Sequence, residues 1–350
     1  MLFAVLPCSS AIFAQNEKVI QLPNGWLLTP AGRQVDAGDL PLNLAASPNG
    51  KWIAVSNNGQ SDQSIQLLDL KTGKMADSVP MIKSWYGLVF SADSKKLYAS
   101  GGNDNQILIF SLSSGKLIRT DSIALGKPWP VKISPAGIDI DHTTHTLYVV
   151  TKENNMLYTI ALANKKIDSF PLPAQAFSCR LSPGGERLYV SLWGAEALWV
   201  WDTKNRKSIA TIEVGDNPNE VITTKDGKYL FVACANENTV AVVATETLKV
   251  VEVLTTALYA GAPAGSTPNS MALSADENTL YIANADNNCL AVFDVSKKGA
   301  SRSMGFIPTG WYPTSVSVAG KNIYVANGKG NSSFANPEGP NPFRGRNSVV

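Results

Sequence analysis

Short runs of β-branched and aromatic residues recur along this chain, and clusters of Gly, Pro, Asn and Asp separate them. The stretch from Gly215 to Asp294 shows the pattern most fully. Leu230-Phe-Val-Ala233 is followed by Thr239-Val-Ala-Val-Val243, and the same order returns as Leu280-Tyr-Ile-Ala-Asn284 and Leu290-Ala-Val-Phe-Asp294. Runs of this length and composition predict strands joined by tight turns. One such unit cannot bury its own apolar face, so it requires neighbours of the same kind.

The units can be phased on the core of the second strand in each. That core begins at Ile53, Leu97, Leu147, Leu188, Leu230, Leu280 and Ile323, at steps of 41 to 50 residues. Six residues before each of the first six anchors stands a turn residue: Ser47, Ser91, Asp141, Ser182, Thr224 and Ser274. Ser47-Pro-Asn-Gly50 is the model for these turns, with Pro fixing φ and Asn-Gly accepting positive φ. Upstream, Gly-x-x-Pro recurs as Gly38/Pro41, Gly215/Pro218, Gly265/Pro268 and Gly310/Pro313. A four-strand unit of about 40 to 45 residues is the period of a β-propeller blade. The expected fold is therefore all-β, a seven-bladed β-propeller of four-stranded antiparallel blades spanning residues 19–327.

Six blades phase as 43–84, 85–125, 131–172, 177–214, 220–255 and 270–308. Beyond Tyr312 only two strands follow, Ser315-Val-Ser-Val318 and Ile323-Tyr-Val-Ala-Asn327. The opposite end of the chain carries Trp26-Leu-Leu28, a Pro-Ala-Gly turn and Arg33-Gln-Val35, which copies the outer half of a blade. The expectation is that N-terminal outer strands pair with C-terminal inner strands to complete the seventh blade and close the ring. Closure of that kind removes sheet edges that would otherwise pair with other chains.

Residues 1–14 are apolar and small and precede the polar Gln15-Asn-Glu-Lys18. They match the apolar region and cleavage site of a secretory signal peptide, although a basic leading segment is missing, so that leader could be incomplete. At 14 residues the segment is too short to span a bilayer. The expected location is periplasmic or extracellular. Residues 328–350 read as an irregular tail or a truncated linker to a downstream domain. Of four cysteines, Cys8 leaves with such a leader, while Cys179, Cys234 and Cys289 fall where small buried residues fit, a Cys234 to Cys289 disulfide being the alternative.

The formal charge of +2 is spread without any basic run, so nucleic acid is not an expected partner. His142 and His145 are the only histidines, and they occupy the hairpin between first and second strands of the third unit. They read as a polar turn, which leaves no nucleophile-base set and no metal site. Asp69, Asp202 and Asp294, one after each of three third strands, read as turn caps. No catalytic residue, metal or cofactor is assigned.

The recurring Leu-Tyr-Val-Ala-Asn core, with Ser-Pro-Asp-Gly-like turns and Gly-x-x-Pro, resembles the YVTN-repeat β-propellers of secreted and surface-layer bacterial proteins. Thr309-Gly-Trp-Tyr-Pro313, Val325-Ala-Asn-Gly-Lys-Gly330 and Asn336-Pro-Glu-Gly-Pro-Asn-Pro342 are similar to a junction in bifunctional proteins. In those, a YVTN propeller precedes a phosphoesterase domain of the alkaline-phosphatase superfamily. The resemblance implies a fused downstream hydrolase; none of that family's metal-ligand motifs lies in this chain.

In propellers, ligands usually bind where the loops leading into first strands converge on the central channel. Here those positions hold Asn43, Trp85, Tyr86, Trp129, Phe177, Arg180, Asn219, Glu220, Asn269, Trp311 and Tyr312. The aromatic residues could stack on a glycan, a small molecule or a protein partner, or could pack between blades. The expected function is a monomeric, exported, non-catalytic binding or scaffolding module, the accessory part of a propeller-phosphoesterase protein. The alternative is a propeller enzyme of the lactonase or quinoprotein kind with a metal or cofactor at the channel mouth.

Overall fold

A computed structural model of the chain describes residues 19–330, apart from positions 23 and 61. It contains six four-stranded antiparallel sheets, each a meander in chain order. Blade 1 runs Pro41–Ala46, Trp52–Asn57, Ser64–Asp69, Lys74–Pro80, and blade 6 runs Pro268–Leu273, Thr279–Asn284, Cys289–Asp294, Arg302–Pro308. Between blades 6 and 1 stands a two-stranded sheet, Pro313–Ala319 with Asn322–Asn327. We term it the closing sheet. It touches the first strands of both neighbouring blades and so completes the ring.

The fold is thus a propeller with six four-stranded blades, and the expected seven, with N-terminal strands finishing the last, is incorrect. Ile20–Gln21 pairs with Leu27–Leu28, not with the closing sheet. The cause is local. Gly25, at φ 84°, turns the chain so that Leu22 N–H reaches Trp26 O at 2.7 Å, and a short loop costs little closure entropy. The Arg33-Gln-Val35 segment forms no strand. It crosses the perimeter instead, with Ala31 N–H on Pro308 O and Arg33 Nη2 on Gly73 O.

Elsewhere the repeat behaves as its turn chemistry requires. Ser47, Ser91, Thr224 and Ser274 each donate a hydroxyl hydrogen bond to the Asn or Asp two residues on, at 2.5 to 2.8 Å. Such local bonds hold the chain in a turn and fix the register of the hairpin that follows. The first-strand prolines Pro41, Pro218, Pro268 and Pro313 each face the last residue of the second strand, and a bulge follows every time. At Gly38 and Gly310 a Cβ would come within 2.6 Å of Asn57 Cγ and 2.8 Å of Asn327 Cγ, so only glycine fits.

Cores form between blades. Leu188, Val190, Trp199 and Trp201 of blade 4 interdigitate with Tyr148, Val150 and Leu157 of blade 3. Asp69, Asp202 and Asp294 do cap turns, accepting N–H bonds from Lys71, Asn205 and Ser296. His142 and His145 lie in an exposed turn, with His145 at φ 52°. Cys179, Cys234 and Cys289 are all free and buried, so the Cys234 to Cys289 alternative does not hold. Among the described residues, no helix is long and apolar enough to cross a membrane.

A polar set in the central channel

The six first strands and Val316–Val318 of the closing sheet surround a central cavity of about 310 Å³. A propeller's first strands face the axis, so any side chain directed inward from them meets its counterparts from other blades. Tyr86, just before the first strand of blade 2, reaches across the axis, and its hydroxyl donates to Glu220 Oε1 of blade 5 at 3.3 Å. Its ring lies 4.7 Å from that of Phe177, centroid to centroid, tilted by 50°.

Glu220 Oε2 accepts Met271 N–H at 2.5 Å from blade 6. Burial pushes the Glu220 carboxyl above the ordinary carboxylate range, and the bonds from Met271 and Ser270 and the nearby Arg180 offset that only in part. The Tyr86 phenol is held well above its ordinary value, first by burial and then by the Glu220 charge. Arg180 Nη1 lies 3.9 Å from Asp139 Oδ2, and that carboxylate raises the guanidinium's already high pKa. Asp139 itself accepts Leu181 N–H at 2.8 Å and Ile140 N–H at 2.9 Å. The Arg180 side chain is 42% exposed and lines the cavity, so N–H donors remain for a group that enters it.

A second arc joins the remaining first strands. Asn43 donates to Tyr86 O at 2.7 Å and accepts from Ser315 Oγ at 3.2 Å. Ser315 Oγ lies 3.4 Å from Ser270 Oγ, which in turn bonds Glu220. Asn219 Nδ2 donates to Asn269 Oδ1 at 3.1 Å, and Asn269 meets the Tyr312 hydroxyl. Asn219 is 6% exposed, and its Oδ1 has no hydrogen-bond partner. A buried amide oxygen left in that state gains from any donor that enters.

Of the eleven residues expected at the channel mouth, Asn43, Tyr86, Arg180 and Glu220 line the cavity, Phe177 packs on Tyr86, and Asn219, Asn269 and Tyr312 form a separate hydrogen-bonded group. Trp85, Trp129 and Trp311 stand apart on the rim. Lys152 lies over Trp85, Lys132 over Trp129, and Lys329 over both Trp311 and Tyr312. Trp129 is 60% exposed. Ser270 stood among the loop positions the sequence marks at the channel mouth, whereas Asp139 and Ser315 did not. Asp139 had a usable signal: it stands eight residues ahead of its anchor Leu147, as Arg180 stands eight ahead of Leu188.

The arrangement can donate through Arg180 and accept through Asp139 and Glu220. Cys179 also lines the cavity, but burial pushes its thiol up, so it stays protonated and is a poor nucleophile. Among the described residues, no group of three or more His, Cys, Asp or Glu side chains is placed to hold a metal ion.

Meandering four-stranded blades around a channel of mixed donors and acceptors define a β-propeller. The chain belongs to the YNCE-like β-propeller family, whose model matches residues 4–306. Among solved structures it is similar to a chain of Kuenenia stuttgartiensis hydrazine synthase, at 20% identity and TM-score 0.70, over 85% of this chain and 95% of that one. It is also similar to U3-55K, at 13% identity and TM-score 0.68, over 82% and 88% of the two chains. The WD40 repeats of RRP9 match equally, at 13% identity and TM-score 0.68, over 82% and 86%. At these identities the likeness is one of fold. None of the curated proteins matches the chain.

Proposed function

We propose that this protein is an exported, non-catalytic binding module whose ligand enters the central channel and engages Arg180, Glu220 and Asp139. The observation that carries the reading is the convergence of these three charged side chains, from three different blades, on one cavity that Tyr86 also lines, its ring packed on Phe177. Holding an arginine and two acids together costs desolvation, which a bound group that both donates and accepts would offset. An amino-acid-like zwitterion or a polar loop of a partner protein has that chemistry, and the rim tryptophans add stacking surface.

Export is supported by the apolar residues 1–14, which lie outside the described residues. Thr309-Gly-Trp-Tyr-Pro313 and Val325-Ala-Asn-Gly-Lys-Gly330 support the finer reading, a YVTN-type propeller serving as the accessory part of a propeller-phosphoesterase protein. The binding reading is tested by thermal-shift titration of the full chain with free amino acids, dipeptides and simple sugars. A member of the panel should raise the melting temperature of the wild type and fail to do so in Arg180→Met and Glu220→Gln. No shift with any of them, or an equal shift in both variants, would overturn it.

A further inference from the structure

Among the described residues, the closing sheet has an unused edge. In every blade, the second strand lies between a first and a third, and the third is largely buried. The third strands Ala197–Asp202, Thr239–Ala244 and Cys289–Asp294 are buried along almost their whole length. Among the described residues Asn322–Asn327 pairs only with Pro313–Ala319. Its other side borders a cleft of about 1320 Å³. One wall of the cleft carries Ile53, Val55 and Leu68 of blade 1, and the other carries Leu290 and Ile307 of blade 6. An unpaired strand edge between two apolar walls is a template for one more strand.

We propose that the free edge of Asn322–Asn327 takes up an extended strand from a partner polypeptide, antiparallel and apolar on both faces. The six third strands show what this position accepts, because each lies between the same two kinds of wall. Residues 331–350 are unsuited to it by sequence. They hold prolines at 337, 340 and 342 and no apolar run. The segment 31–41 lines the cleft but leaves that volume open. This inference is independent of the ligand proposed for the channel, which the opposite edge of each first strand surrounds.

The probe is a labelled synthetic peptide copying residues 236–247, Asn-Glu-Asn-Thr-Val-Ala-Val-Val-Ala-Thr-Glu-Thr, which spans the third strand of blade 5. Fluorescence anisotropy with the full chain should show saturable binding. A Val242→Pro version of the peptide, which cannot complete the ladder, should bind about tenfold more weakly or worse. Hydrogen exchange should show new protection at Asn322–Asn327 on peptide binding. The proposal fails if the proline peptide binds equally, if protection arises elsewhere, or if the copied strand does not bind. It also fails if sedimentation shows the chain already dimeric through this edge, or if binding appears only after residues 1–18 are removed, since the occupant would then be a second copy or the chain's own N-terminus.

Discussion

The interface between blades 3 and 4 and the joints of the closing sheet solve one problem, holding two radial sheets together, by different means. The first is apolar: thirteen buried residues, among them Leu157, Leu188, Trp199 and Trp201, form one cluster across it. The closing sheet shares only three fully buried residues, Ala283, Leu290 and Val316, in its cluster with blade 6. It is instead stitched by hydroxyls. Thr314 Oγ1 donates to Pro41 O at 2.6 Å, Leu44 N–H donates to Ser315 Oγ at 3.2 Å, and Val316 N–H donates to Ser270 Oγ at 3.1 Å. Hydrophobic burial scales with area, while a hydrogen bond exchanged with water contributes little net free energy. A two-stranded sheet has less area to offer, so the ring should be weakest where it closes.

The largest contrast should come from truncating a fully buried leucine. Leu188→Ala removes packing at a site with no exposure and should cost about 2 to 5 kcal/mol in denaturant unfolding. Thr314→Val leaves the Pro41 carbonyl without its hydroxyl and should cost about 1 to 3 kcal/mol, showing that the joint depends on polar stitching. Val316→Ala should cost only about 1 to 2 kcal/mol. If Val316→Ala matched Leu188→Ala, the closing sheet would be as tightly packed as the blades, and the comparison would break.

Smaller still is the effect of Glu220, which joins the stitched region through Ser270 and Met271. Because burial raises its carboxyl in the folded protein, folding favours the protonated form. That contribution is whole below the ordinary carboxylate range and is lost as pH rises through the raised pKa. Glu220→Gln cannot ionise, so the wild type should lose melting temperature relative to the variant as pH rises above the ordinary carboxylate range. A difference that does not change with pH would mean that the carboxyl titrates normally. The thiols should respond least: with Cys234 pushed up to about 11 and Cys289 to about 12 by burial, native protein should not react with a thiol reagent at neutral pH.

How much of this was legible in the sequence differs by region for the same reason. Within the blades, each local signal agreed with its neighbours. The anchor Leu230 falls in Tyr229–Cys234, and the turn residue Thr224 bonds Asp226 as its spacing requires. Periodicity marks a strand but not its partner. Trp26-Leu-Leu28 was recognisable as a strand, yet nothing in it specified Ile20–Gln21 over the closing sheet, and the blade count went wrong there. In the channel, Asn43, Tyr86, Arg180 and Glu220 line one cavity because loop position is set by the repeat. Asp139 escaped because its neighbours Asp141 and His142 made the whole stretch read as turn, although it lies inside the strand Pro135–Asp141. Asn105 and Asn238 escaped as well. Both sit at positive φ just before third strands, and their side chains accept N–H bonds from Ser134 and Ser266, anchoring the two long rim loops.

Native-state hydrogen exchange tests the central claim, that the ring is held by apolar packing between six blades and closes through a weaker, hydroxyl-stitched sheet. Backbone amides of Pro313–Ala319 and Asn322–Asn327 should exchange by a local opening well below the global stability, while those of Arg187–Leu192 and Tyr229–Cys234 should exchange only on global unfolding. Equal protection in the closing sheet and in those two strands would contradict it.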